Sequence, residues 1–220
     1  MDEKKIIIAL DVNKIKDVEA LMDVLSPHVH IFKVGMELFY SCGPKAIDVI
    51  KKYDRDVFLD LKFHDIPNTV RNASKAATRL GVFMFNVHVS GGKDMMNAAL
   101  EGASEESERL GIDRPRILGV TVLTSIEVEE SQVLTLAKSA NEAGLDGVVA
   151  SPKEAAIIRK DIGSDFLIVT PGIRPEGSDK QDQKRTSTAK EAIQAGADYI
   201  VIGRPVTKTK DPAKALKDMI

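Results

Sequence analysis

The chain has 220 residues, 43% of them hydrophobic, which is enough to bury a substantial core in one domain or in two small ones. Its 31 basic and 33 acidic residues leave a formal net charge of −2, which predicts neither nucleic acid nor an anionic membrane as a partner. Cys42 is the only cysteine, and no apolar run approaches the roughly 18 residues of a membrane helix. We therefore expect a soluble cytoplasmic protein without disulfides.

Short runs of β-branched and aromatic residues alternate with longer stretches of helical periodicity along the chain. In chain order, the predicted strands are Ile6–Leu10, His30–Val34, Val57–Leu61, Val82–Val89, Ile117–Leu123, Gly147–Ala150, Phe166–Thr170 and Tyr199–Ile202. The predicted helices are Val18–Leu25, Pro44–Lys52, Asn68–Leu80, Met95–Leu110, Ser131–Ala143, Glu154–Asp161, Ala189–Ala195 and Pro212–Ile220.

This alternation of strand and helix predicts an α/β fold, a single TIM-barrel domain over residues 1–220 in which eight parallel strands close into a (β/α)8 barrel. A doubly wound open sheet is the alternative architecture. No low-complexity linker or shift in composition marks a domain boundary. The polar stretch 175–186 is longer than most connections, which predicts a lid over the site or a disordered loop.

Polar residues follow most of the predicted strands. They are Asp11, Lys33, Asp60, Lys62, His88, Thr121, Thr124, Thr170, Gly203 and Arg204. In a barrel these positions fall on the rim formed by the C-terminal strand ends, where catalytic groups sit. Taken singly, a residue such as Asp11 or Thr170 would equally serve to cap the next helix.

The run Phe58-Leu59-Asp60-Leu61-Lys62-Phe63-His64-Asp65 is the most informative segment. Because side chains alternate along a strand, Asp60 and Lys62 would point into the barrel mouth while the apolar residues between them face the helices. Charges in such a place cost several kcal/mol each to desolvate unless they pair, so a plain ion pair is the structural alternative. With Lys33 and Asp65 added, alternating charges would form an array in which each neighbour favours the charged form of the next.

Such an array suits the loss of carbon dioxide from a bound acid. A substrate carboxylate held beside Asp60 would be repelled, and its departure as CO2 would remove the repulsion. Lys62 would then supply a proton to the carbon left behind.

The last strand ends in Gly203-Arg204, which predicts a phosphate site because the glycine permits a close backbone approach and the arginine adds a cation. A surface arginine after a turn is the alternative. Arg174 and Gln183, beside and within the polar stretch, would close over the same phosphate. Zinc-protease, dinucleotide and P-loop motifs are absent from the sequence, and we expect no metal and no cofactor.

The segment Asp60–Thr69 resembles the signature of the orotidine 5'-phosphate decarboxylases, in their compact bacterial form. Further matching blocks occur in order along the chain, at Leu10-Asp11, Phe32-Lys33-Val34-Gly35, Val87-His88, Gly91-Gly92, Val122–Ser125, Thr170–Arg174, Asp182–Arg185 and Gly203–Pro205. The Asp-x-Lys-x-x-Asp core alone is also found in sugar-phosphate lyases of the same superfamily, but the Ile66-Pro67 continuation favours the decarboxylases.

The resemblance implies decarboxylation of orotidine 5'-phosphate to uridine 5'-phosphate, the last step of de novo synthesis of that nucleotide, without a cofactor. Asp11 would hold the ribose, and Lys33 would bridge the ribose and the charged array. Asp60 would face the substrate carboxylate, and Lys62 would protonate the pyrimidine carbon.

The resemblance also implies a homodimer with active sites shared across the interface. Asp65, Ile66 and Thr69 would come from the second subunit. The residues implied to border the base and phosphate are Thr124, Ser125, Arg174, Gln183, Gly203 and Arg204.

Two other functions remain open at this point. A magnesium-dependent sugar-phosphate lyase or isomerase on the same barrel would need oxygen ligands, which Asp60 and Asp65 offer. A non-catalytic barrel that only binds a phosphorylated ligand is the other, although burying two lysines and two aspartates for binding alone is costly.

Overall fold

The computed structural model describes residues 3–123, 126, 128–175 and 187–220. Eight strands are all parallel to their neighbours, and the last pairs with the first, so the sheet closes into a barrel in chain order. The strands are β1 Ile6–Ala9, β2 Ile31–Gly35, β3 Asp56–Phe63, β4 Met84–His88, β5 Arg116–Val120, β6 Gly147–Val149, β7 Leu167–Thr170 and β8 Tyr199–Ile202. The predicted (β/α)8 barrel is confirmed, and the open doubly wound sheet is excluded.

Helices surround this barrel and follow the strands. They are α1 Ile15–Leu25, α2 Met36–Cys42, α3 Lys45–Lys52, α4 Pro67–Arg79, α5 Lys93–Leu110, α6 Glu130–Glu142, α7 Pro152–Ile162, α8 Ala189–Gln194, α9 Arg204–Thr207 and α10 Pro212–Met219. Two short 3-10 helices lie at Glu3–Lys5 and Val89–Gly91. None of the helices described is long and apolar enough to cross a membrane.

Strand alternation divides the apolar residues into two layers. One layer fills the barrel interior and consists of Ile7, Ala9, Ile31, Phe58, Met84, Leu118, Val169 and Val201. The other lies between strands and helices and includes Ile6 and Ile8, the immediate neighbours of Ile7. Apolar side chains therefore fill the barrel interior, and any ligand has to bind above this layer, at the C-terminal end of the strands.

The prediction missed the short helices α2 and α9 and extended β5 too far at its C-terminal end. The seven residues of α2 are too few to display a helical period, and only Leu38 is fully buried. The strand predicted to end at Leu123 ends at Val120, because Val122 and Leu123 leave the sheet and line a cavity instead. Val122 and Leu123 are apolar because they form part of a cavity wall. Hydrophobicity alone cannot distinguish such a wall from a strand.

Candidate active site

A cavity of about 220 Å³ opens at the C-terminal mouth of the barrel. Its floor includes Ala9, Phe58 and Val201, which belong to the interior apolar layer. The charged and glycine residues that line it include seven of the predicted site residues, namely Asp11, Lys33, Asp60, Lys62, Arg174, Gly203 and Arg204. Residues as far apart in sequence as Asp11 and Arg204 meet here because every parallel strand ends at the same rim.

Four charged side chains form a continuous chain of ion pairs along one wall. Lys62 Nζ lies 2.6 Å from Asp60 Oδ1, and Lys33 Nζ lies 3.1 Å from the other oxygen of the same carboxylate. Lys33 Nζ also lies 3.5 Å from Asp11 Oδ1. Within one chain, Asp11 is the fourth charged member of the array and pairs with Lys33, whereas Asp65, the fourth member predicted from the sequence, follows Lys62 and lines a separate recess.

Burial and pairing act against each other in this array. Burial alone would raise the pKa of Asp60, but the Lys33 and Lys62 ammonium groups and their hydrogen bonds, with one from Asn86, lower it to about 2. Burial would lower the pKa of Lys33, but Asp60 and Asp11 outweigh it and raise that pKa. Because the pKa of Asp60 is lowered on folding, its contribution to stability is complete above the ordinary aspartate range and is lost as the pH falls towards 2.

Lys62 reaches the cavity through an irregularity in β3. Leu59 is opposite Phe85 and Phe63 is opposite Val87, so three residues of β3 face a single residue of β4. Lys62 itself has a φ of 54°, a left-handed conformation that is uncommon for a residue with a side chain. Strain of this kind persists only where the surrounding structure holds it, and it is frequent at functional sites.

Asn86 is the residue facing this bulge, and the sequence analysis did not identify it. Its side-chain oxygen accepts a hydrogen bond from the Lys62 backbone N–H at 2.8 Å, and its Nδ2 donates to Asp60 Oδ1 at 2.7 Å. Asn86 is only 1% exposed. The available signal was an amide in the middle of the apolar strand Met84-Phe85-Asn86-Val87-His88, on the face that points into the barrel.

The part of the cavity formed by the segments after β7 and β8 presents Arg174, Gly203 and Arg204. Arg174 is 8% exposed, and its Nη1 donates to the Ile173 carbonyl at 2.9 Å, which fixes the guanidinium at the wall. A methyl group added at Gly203 would contact Ala9 and Asp11 at 3.5 Å, so the bare glycine leaves room at the mouth. This side is the place where barrels commonly hold a phosphate.

Asp65, Ile66 and Thr69 do not line the cavity of their own chain. Asp65 and Ile66 belong to a separate surface recess formed by residues His64, Asp65, Ile66, Pro67, Ser90 and Gly91. Ile66 is 67% exposed, and Thr69 is exposed in the first turn of α4. Thr124, Ser125 and Gln183 lie outside the described residues.

Three other polar strand-end residues, Thr121, Thr170 and His88, are buried or make contacts within the chain. Thr121 donates to the Val149 carbonyl at 3.1 Å, and Thr170 is fully buried. His88 packs against His64 with 5.3 Å between ring centroids, and burial, helped by His64 and Lys62, lowers its pKa. None of the three is among the residues that line the cavity.

A closed parallel barrel with paired lysines and aspartates at its C-terminal mouth has the layout of the (β/α)8-barrel enzymes. The model of the orotidine 5'-phosphate decarboxylase / HUMPS family matches residues 4–219. The chain therefore belongs to that family, as the resemblance of its sequence predicted.

Individual relatives agree with the family match. The orotidine 5'-phosphate decarboxylase of Geotalea daltonii is 49% identical, over 98% of this chain and 94% of the relative. That of Pelobacter propionicus is 50% identical, over 99% and 93%. The crystal structure of orotidine 5'-phosphate decarboxylase from Lactobacillus acidophilus superimposes with a TM-score of 0.85 at 39% identity, covering 98% of this chain and 97% of that one.

Proposed function

We propose that this chain decarboxylates orotidine 5'-phosphate to uridine 5'-phosphate and CO2, the last step in de novo synthesis of that nucleotide. The observation that carries the proposal is the Lys33–Asp60–Lys62 array in the cavity of a chain that belongs to this family. We further propose that the chain acts as a single catalytic domain, in the cytoplasm, as a homodimer and without a cofactor.

Asp60 would drive the reaction by repelling the substrate carboxylate. Two unit charges 4 Å apart repel by about 4 kcal/mol at the moderate effective dielectric of a partly buried site. The pairing with Lys33 and Lys62 keeps Asp60 ionised, so this repulsion is present whenever substrate binds. When the bond to the carboxylate breaks, CO2 departs uncharged and the repulsion ends.

Lys62 would donate the proton that completes the product. The electron pair of the broken bond stays on the pyrimidine carbon, and an N–H of the Lys62 ammonium supplies the proton to that carbon. The resulting amine regains a proton from solvent. The 2.6 Å contact between Lys62 Nζ and Asp60 Oδ1 supports this role, because the substrate carboxylate is proposed to depart from beside Asp60.

The phosphate would bind on the side of the cavity formed after β7 and β8. Arg204 and the backbone of Gly203 would hold it, and Arg174 and Gln183 would lie beside it. Asp11, paired with Lys33 at 3.5 Å, would accept hydrogen bonds from the ribose hydroxyls. Thr124 and Ser125 would border the base.

The second subunit would complete each site with Asp65, Ile66 and Thr69. Support comes from their positions, because Asp65 and Ile66 line an outward-facing recess rather than the cavity of their own chain. Ile66 and Tyr40, on the neighbouring βα segments, are 67% and 79% exposed, so both side chains are available for contact with a second subunit. An isologous interface at this rim would place each Asp65 in the other subunit's site.

Mixing two inactive variants tests this shared site. When Lys62→Ala chains are mixed with Asp65→Ala chains, each heterodimer has one site missing both groups and one site with both intact. Because half of randomly mixed dimers are heterodimers, we expect recovery of roughly a quarter of wild-type activity.

A matched mixture distinguishes sharing from any other effect of mixing. Lys33 and Lys62 contact the same Asp60 within one chain, so a mixture of Lys33→Ala and Lys62→Ala chains should recover nothing. Subunit exchange is verified by native mass spectrometry. If the Lys62 and Asp65 mixture stays inactive after verified exchange, Asp65 does not act across the interface.

The proposed activity is tested by following orotidine 5'-phosphate through its ultraviolet absorbance, in buffer and in excess EDTA. We expect turnover that EDTA does not reduce, because the two lysines provide the positive charge that a cation would bring. Loss of activity in EDTA that magnesium restores would favour the lyase alternative. That alternative needs Asp60 and Asp65 to converge, whereas in one chain they line different cavities.

A further inference from the structure

Asn86 lies on β4 where the regular backbone pairing between β3 and β4 is interrupted. Three residues of β3, Asp60 to Lys62, are opposite Asn86 alone, so the Lys62 backbone N–H has no regular partner on β4. The side-chain oxygen of Asn86 accepts that N–H at 2.8 Å. An amide side chain thereby replaces the missing backbone carbonyl and satisfies a donor whose loss of a partner would be costly.

The other half of the same amide holds the carboxylate. Asn86 Nδ2 donates at 2.7 Å to Asp60 Oδ1, the oxygen that also accepts from Lys62 Nζ. The amide can satisfy these contacts in one orientation only, because turning it over would place its oxygen against a carboxylate oxygen and its NH2 against an N–H. Asn86 therefore fixes Asp60 and the Lys62 backbone relative to each other.

Asn86 contacts Asp60 and Lys62 from outside the cavity. Met84, two residues earlier on the same face of β4, belongs to the interior apolar layer, and Phe85 and Val87 face the helices. Asn86 is 1% exposed and is not among the residues that line the cavity. It therefore reaches the reacting groups without reaching the space that a ligand would fill.

We propose that Asn86 is a positioning residue, which holds Lys62 in its left-handed conformation and Asp60 in a single rotamer so that proton donor and carboxylate keep a fixed geometry. This inference rests on the proposed decarboxylation. It assigns to β4 a role in holding the bulge of β3 from outside the cavity.

The first test replaces Asn86 with leucine, which has a similar shape and neither hydrogen-bonding group. We expect kcat to fall about 100-fold, the scale on which misplacement by about 1 Å lowers a rate, while affinity for uridine 5'-phosphate changes far less. Met84→Leu, a conservative change one layer below on the same strand face, is the matched control and should retain kcat. Wild-type kcat in Asn86→Leu, or equal losses of kcat and product affinity, would overturn the proposal.

A second variant, Asn86→Asp, gives a readout that a purely structural residue would not produce. One carboxylate oxygen would lie 2.7 Å from Asp60, so the pair would share one proton and one of the two pKa values would rise. While the pair holds its shared proton, the side chain at position 86 can still donate a hydrogen bond to Asp60. When the pair loses that proton, this hydrogen bond is lost as well. We expect activity of Asn86→Asp to decline as the pH rises through that raised pKa, where wild type shows no decline, and identical pH profiles would count against the proposal.

Hydrogen exchange at the Lys62 backbone amide tests the same contact without using turnover. We expect slow exchange in wild type and faster exchange in Asn86→Leu, while amides of the distant pair β7 and β8 are unchanged. Equal exchange at Lys62 in both proteins would overturn the proposal even if the enzyme is active. If the wild-type protein shows slow exchange at the Lys62 amide but no turnover, the proposed decarboxylation is overturned. Asn86 would then only support the bulge.

Discussion

Lys62→Ala should abolish measurable turnover of orotidine 5'-phosphate, with a fall in kcat of at least about 10⁴-fold, the upper range for a positioned proton donor. The variant should still bind uridine 5'-phosphate, because the proposed phosphate contacts, at Gly203 and Arg204, do not involve Lys62. Asp60 also keeps Lys33 at 3.1 Å and Asn86 at 2.7 Å, so it stays ionised and in place. Steady-state kinetics and product titration by calorimetry measure the two effects separately.

The lysine control lies outside the barrel mouth. Lys138 on α6 forms a 2.7 Å ion pair with Asp161 on α7, so Lys138→Ala removes a paired ammonium without approaching the cavity. We expect its kcat to equal that of wild type. Lys62→Arg keeps a cation at the site but cannot give up a proton near neutral pH, and it should be inactive as well. Substantial activity in Lys62→Ala or Lys62→Arg would mean that another group donates the proton.

Arg204→Ala should lower kcat/KM for orotidine 5'-phosphate by about 10³-fold, equivalent to about 4 kcal/mol of transition-state stabilisation. Contacts to a non-reacting phosphate can be used to close the site and press the carboxylate towards Asp60, so their loss should lower kcat as well as raise KM. The substrate's nucleoside, which lacks the phosphate, should show a similar loss with the wild-type protein. Steady-state kinetics with both substrates gives the four values required.

These four values form a cycle that isolates the contact. If Arg204 acts through the phosphate, Arg204→Ala should have little further effect on turnover of the nucleoside. Lys210→Ala, an exposed basic residue shortly after α9, is the control and should leave all four values unchanged. An effect of Arg204→Ala confined to a modest rise in KM, or equal effects on both substrates, would contradict a phosphate-driven closure.

The fold was predictable because its signal is repeated. Each of the eight strands has its own apolar run and most helices their own period, so errors at single boundaries leave the alternation intact. The exceptions are local: α2 and α9 are only seven and four residues long, and the apolar Val122 and Leu123 line the cavity instead of extending β5. A helix this short has too few residues to show a helical period, and apolar residues such as Val122 and Leu123 fit either a strand or a cavity wall. Only the surrounding structure distinguishes these alternatives.

The sequence by itself determined the barrel, the rim on which the polar residues lie and the pairing of Asp60 with Lys62, since strand period and charge are properties of a short segment. Only the tertiary structure decided that the same-chain array ends at Asp11, that Asp65 faces a separate recess, and that Lys62 is left-handed. It also brought in Asn86, 26 residues from Asp60. Those outcomes depend on how β3 bulges against β4, and a register between strands is an interaction of distant segments that neither segment encodes alone.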